Sequence, residues 1–65
     1  MNINFTIITS TLNCFNELQK TIKSISKIDR KDFEYIVIDG NSSDQTKDLI
    51  INSKLITRYL IEKDN

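Results

Sequence analysis

Phe33-Glu34-Tyr35-Ile36-Val37-Ile38-Asp39-Gly40-Asn41-Ser42-Ser43-Asp44 is the stretch that decides the fold. Its centre, Tyr35 to Ile38, is a continuous apolar run without polar alternation. Such runs belong to strands buried on both faces, as in parallel α/β sheets. Gly40-Asn41-Ser42-Ser43 is turn chemistry. Ser42, with Gln45 three residues later, has the spacing of a capping box and opens a short helix through Leu49, Ile50 and Asn52.

The flanking segments repeat the alternation. Upstream, Phe5-Thr6-Ile7-Ile8-Thr9 is short, apolar and β-branched, the signature of a strand. Ser10-Thr11-Leu12-Asn13 is a polar break. From Asn16 the period changes: Leu18, Ile22, Ile25 and Ile28 recur at helical spacing, with Lys20, Lys23 and Lys27 elsewhere around the wheel. Asn16 and Gln19 make a second capping-box pair. Downstream, Ile56 to Ile61 reads as a third strand, followed by Glu62-Lys63-Asp64-Asn65. The order is βαβαβ, an α/β fold with a parallel sheet in strand order 3-2-1.

Handedness then bears on burial. Strand–helix–strand crossovers are right-handed in about 98% of cases. In the order 3-2-1 both crossovers step the same way, so both helices lie on one face of the sheet. Nothing within the chain covers the other face. Apolar burial is worth roughly 25 cal/mol per Å², and ordering a residue costs roughly 1.5 kcal/mol. A half-covered sheet of this size fares poorly on that comparison. The expectation is that residues 1–65 are the first half of a larger domain, apparently truncated, or that a partner covers the bare face.

Composition excludes several function classes. The 65 residues suffice for one small domain. With 9 basic and 9 acidic residues the formal net charge is zero, and the signs alternate along the chain, so no basic stripe points to nucleic acid. The only cysteine is Cys14 and there is no histidine, which excludes an internal disulfide and leaves no ordinary zinc set. No basic n-region and no apolar run of about 20 residues appears. These features lead to an expected cytoplasmic location. The first strand–helix turn lacks glycine, which argues against a dinucleotide fingerprint or P-loop, and without histidine no Ser–His pair forms.

Ligands of open α/β sheets bind beyond the carboxyl ends of the strands. Three polar segments meet that edge: Ser10 to Asn13, Asp39 to Asp44, and Glu62 to Asn65. Their carboxylates suit hydrogen bonds from a base N–H or from ribose hydroxyls. Asn13, Asn16, Ser42 and Asp44 have a plainer reading as caps and turn formers. Cys14 reads as an inert, partly buried thiol.

Taken together, Phe5 to Asn13, Asp32 to Thr46 and Ile56 to Asn65 resemble, in order and separation, the opening of family 2 glycosyltransferases. There an Ile/Val run ends in Thr-Tyr-Asn, a second strand in Asp-Gly-Gly-Ser-Thr-Asp-Gly-Thr and a third in Glu-Pro-Asp. This chain differs at Leu12, where tyrosine is common, at Gly40, where many members have a second aspartate, and at Lys63, which replaces the proline. The resemblance implies the amino-terminal nucleotide-sugar-binding half of a GT-A (Rossmann-like) fold in polysaccharide biosynthesis. Thr11, Leu12, Asn13, Asp39 and Asp44 would lie around the nucleoside of the donor, with Asp39 and Asp44 making polar contacts and Asp64 a further candidate. It implies a nucleotide-sugar donor, a glycan or lipid-linked acceptor, and activity in the cytoplasm or at the inner face of the membrane. Mg²⁺ or Mn²⁺ and the catalytic base would be held by residues outside this chain, leaving residues 1–65 inactive alone. Two other readings remain: a free-standing small α/β interaction or dimerisation module, and a flavodoxin- or receiver-like domain, which the missing acidic pair at the first strand end disfavours.

Overall fold

The computed structural model describes residues 3–63. The elements run β1 (Phe5–Thr11), α1 (Phe15–Ser26), β2 (Phe33–Asp39), α2 (Thr46–Asn52) and β3 (Arg58–Ile61). The three strands form one parallel sheet with β2 in the centre, the order expected from the sequence. The β1–β2 register is continuous from Phe5↔Phe33 to Thr11↔Asp39, and β3 joins at Ile36↔Arg58.

The core lies on one face of the sheet. Tyr35 and Val37 of β2 are fully buried against Leu18 and Ile25 of α1 and Ile50 of α2. Because side chains alternate along a strand, Ile36 and Ile38 point the other way. Ile38 is 41% exposed, Ile8 62% and Leu60 51%. Both helices therefore cover a single face, as the crossover argument requires. The apolar run that reads as doubly buried has only one side covered among the described residues. The far end of this open face is polar: the Thr6 hydroxyl donates to Glu34 at 3.0 Å, and Arg58 pairs with Glu34 at 3.2 Å.

Several element boundaries differ from the sequence expectation. β1 runs two residues further, because its pairing with β2 continues through Ser10↔Ile38 and Thr11↔Asp39. β3 begins at Arg58 rather than Ile56. The Thr57 hydroxyl accepts the Tyr35 N–H at 3.0 Å, replacing a ladder carbonyl, so regular pairing starts one residue later. Ile28 lies beyond α1 and is 39% exposed.

Neither capping box forms. α1 starts after Cys14 without a side-chain cap, and α2 starts after Gln45, likewise without one. Asp44 serves the start of α2 instead, its Oδ1 accepting the Thr46 N–H at 2.9 Å. Ser42 is committed elsewhere, as described below.

A surface cluster ties the amino-terminal end of the sheet. The Phe5 and Phe33 rings stack at 5.6 Å, and the Arg30 guanidinium lies 4.7 Å above Phe5. Arg30 and then Asn4 donate to Asp32 and hold its carboxyl well below the usual carboxylate range, while the same contact raises Arg30. This cluster lies away from the carboxyl ends of the strands.

Candidate functional site

A groove of about 680 Å³ opens at the carboxyl ends of the strands. Ser10, Thr11 and Leu12 of the first strand end form one side, and Gly40 adjoins them. Ile38 and Leu60 supply apolar surface, and Glu62 and Lys63 bring opposite charges. Leu12 is 61% exposed, so its side chain is available surface rather than core. A Cβ placed on Gly40 would lie 3.4 Å from Leu12 Cδ1, so a larger residue there meets Leu12 directly.

Behind the groove sits a hydrogen-bonded hub built from three sequence segments. Thr11 Oγ1 donates to Asp39 Oδ1 at 2.6 Å. Ser42 donates twice to the same carboxylate, from Oγ to Oδ1 at 2.6 Å and from its N–H to Oδ2 at 2.8 Å. Ser42 Oγ also accepts the Asn13 N–H at 2.9 Å, and Asn13 Oδ1 accepts the Ser43 N–H at 2.7 Å. Gly40 N–H donates to the Thr11 carbonyl, and Glu62 N–H to the Asp39 carbonyl, each at 2.9 Å. The three strand ends and both strand–helix loops are thereby joined.

Electrostatics follow from that geometry. Asp39 is fully buried. Burial pushes its pKa up, but hydrogen bonds from the Ser42 hydroxyl and N–H, from Thr11 and from the Asn41 N–H outweigh it and hold the carboxyl below its ordinary value. Asp44 is also lowered, first by the Thr46 side chain and then by the Thr46 and Phe15 N–H groups. Among the described residues the Thr46 hydroxyl has no partner in hydrogen-bond geometry, so it acts on Asp44 as a nearby dipole.

Of the residues singled out from the sequence, Thr11, Asn13 and Asp39 come together around Ser42, and Leu12 forms groove wall. Asp44 is exposed at the start of α2, outside the residues that line the groove. Asp64 lies outside the described residues. Cys14 is a half-buried free thiol. Sequence reasoning gave Ser42 a capping role and missed its part in the hub. The available signal was a serine three residues after a strand-end aspartate, a spacing suited to a local side-chain-to-backbone bond. Among the described residues no group of three acidic, cysteine or histidine side chains converges to hold a metal ion, so no step is assigned to one on this chain. No helix among them is long and apolar enough to cross a membrane.

The class these features define is an open parallel α/β sheet with a groove at the carboxyl rim. The Glycosyl transferase family 2 profile matches residues 6–61, and the chain belongs to that family. It is 50% identical over 46 residues to a GalNAc(5)-diNAcBac-PP-undecaprenol beta-1,3-glucosyltransferase of Campylobacter jejuni subsp. jejuni serotype O:2. That match covers 71% of this chain and 15% of the enzyme's length. No solved structure matches.

Proposed function

We propose that this chain is the amino-terminal nucleotide-sugar-binding portion of a family 2 glycosyltransferase, a half-domain whose open sheet face is covered by further structure. The carrying observation is the groove at the carboxyl ends of parallel strands, with apolar surface beside polar groups. Such a mixture suits the ring and hydroxyls of a nucleoside. Thr11 and Leu12 border the nucleoside, Asn13 and Asp44 stand near it, and Asp39 braces the wall behind it. The sugar passes to an acceptor hydroxyl after a base removes its proton. Base and divalent metal, Mg²⁺ or Mn²⁺, belong to other parts of the enzyme. The Campylobacter relative is named for an undecaprenol-linked glycan, so a lipid-linked glycan is the acceptor class to try first, at the inner face of the membrane.

Calorimetric titration of the full-length protein with UDP, GDP and dTDP in Mn²⁺ tests this reading. One nucleotide should bind, and Asp39→Ala and Asp44→Ala should weaken it. Absence of binding to all three, with no transfer or hydrolysis of any sugar nucleotide, overturns the reading. Unchanged affinity in both variants removes their assignment to the site.

A second reading is favoured by one observation, the open face carrying Ile8, Ile38 and Leu60. In it, the chain is a small module that self-associates through this face. A stable dimer of residues 1–65 with no nucleotide affinity in the full-length protein supports that reading over the first.

A further inference from the structure

The Ser42 hydroxyl is bonded to both loops that border the groove. It donates to Asp39 Oδ1 at 2.6 Å and accepts the Asn13 N–H at 2.9 Å. Asn13 in turn accepts the Ser43 N–H at 2.7 Å, closing the link in the other direction. Asn13 and Asn41, one in each loop, hold left-handed backbone at φ 49° and 69°. Asparagine takes that conformation more readily than other non-glycine residues, so each loop turns sharply at little backbone cost. The span between these two loops contains Thr11, Leu12 and Gly40, with the Gly40 N–H on the Thr11 carbonyl at 2.9 Å. The placement of Leu12 over Gly40 therefore depends on how the two loops are registered.

We infer that Ser42 is a positioning residue for donor binding, locking the Asn13 loop onto the Asn41 turn so that Leu12 and Gly40 hold one fixed groove width. Ser42 is itself fully buried and acts through these neighbours rather than by touching the ligand. Loops already held in the bound arrangement spare the complex their ordering cost. The inference rests on the nucleotide reading of the groove.

The test compares Ser42→Ala with Tyr35→Phe in the full-length protein. Each removes one hydroxyl and its hydrogen bond, in Tyr35 the bond donated to Thr9 Oγ1 at 3.1 Å away from the groove, but only S42A releases Asn13. Affinity for UDP, GDP and dTDP is measured beside the melting temperature. Y35F should keep the wild-type affinity for the best-bound nucleotide within about two-fold, while S42A weakens it about ten-fold, or about 1.4 kcal/mol. In sugar transfer the S42A loss should appear in the donor KM with kcat nearly unchanged. Equal loss in the two variants, tracking their melting temperatures, overturns the positioning role, as does wild-type affinity in S42A. Should S42A fail to fold, Asn13→Gly replaces it. Glycine tolerates the left-handed backbone but removes the bond to Ser43, and unchanged nucleotide affinity in N13G overturns the inference. A wild-type protein that binds none of the three nucleotides overturns the nucleotide reading itself, a result distinct from selective binding that Ser42 does not influence.

Discussion

The Thr11 hydroxyl donates to the Asp39 carboxylate at 2.6 Å, joining the last residues of β1 and β2 across a separation of 28 positions. Both side chains are buried. The bond fixes the carboxyl rim where the parallel ladder ends and where both strand–helix loops depart.

Removing the carboxylate should therefore cost more than removing either hydroxyl. Hydrogen bonds to a charged group are worth about 1.5–3 kcal/mol each, and orphaned buried partners add to the loss. Asp39→Ala should destabilise the full-length protein by about 3 kcal/mol or more, and Thr11→Val by about 2 kcal/mol. Urea unfolding gives both values. A loss below about 1 kcal/mol for D39A would show that the hub contributes little to stability.

Acid sensitivity has a definite sign. Asp39, Asp44 and Asp32 are each held below the ordinary carboxylate value in the folded chain. On acidification the unfolded state takes up protons first, near pH 4, while the folded carboxylates stay ionised. Their contribution is complete above about pH 5 and is lost as pH falls through the folded pKa values. The urea midpoint should stay flat from about pH 7 to pH 5 and drop below about pH 4. In Asp39→Asn the acid drop should be shallower; an identical drop would remove Asp39 from the cause.

The open sheet face should declare its cover by a contrast between two proteins. Ile8, Ile38 and Leu60 all stand on it. In residues 1–65 expressed alone, lysine at these positions should reduce self-association, read by light scattering, because exposed apolar surface drives it. In the full-length protein, Ile38→Ala should cost about 2 kcal/mol or more, as expected where another layer buries the side chain. A loss under about 0.5 kcal/mol would mean that the face stays in water.

Gly40 is open to substitution without backbone strain. A Cβ there would make an ordinary 3.4 Å contact with Leu12 Cδ1. Gly40→Ala should leave stability unchanged or raise it by up to about 1 kcal/mol, through a less free unfolded chain. Gly40→Leu should push Leu12 into the groove and weaken nucleotide binding. Equal nucleotide affinity in the two variants would separate Leu12 from the groove wall.

Local pattern alone determined the elements and their order. The Tyr35–Ile38 run, the helical spacing of Leu18, Ile22 and Ile25, and the turn residues after Asp39 each record a preference acting over a few neighbours. The handedness of parallel crossovers then placed both helices on one face and the polar segments on one rim. Tertiary structure alone decided what those polar groups do. Ser42 and Asp44 both read as cap formers, yet Ser42 turns to Asp39 and Asn13 while Asp44 takes the Thr46 N–H. A hydroxyl or carboxylate has several acceptable partners of similar strength. The choice falls to whichever group the strand register brings within reach, and register belongs to the pairing of distant segments.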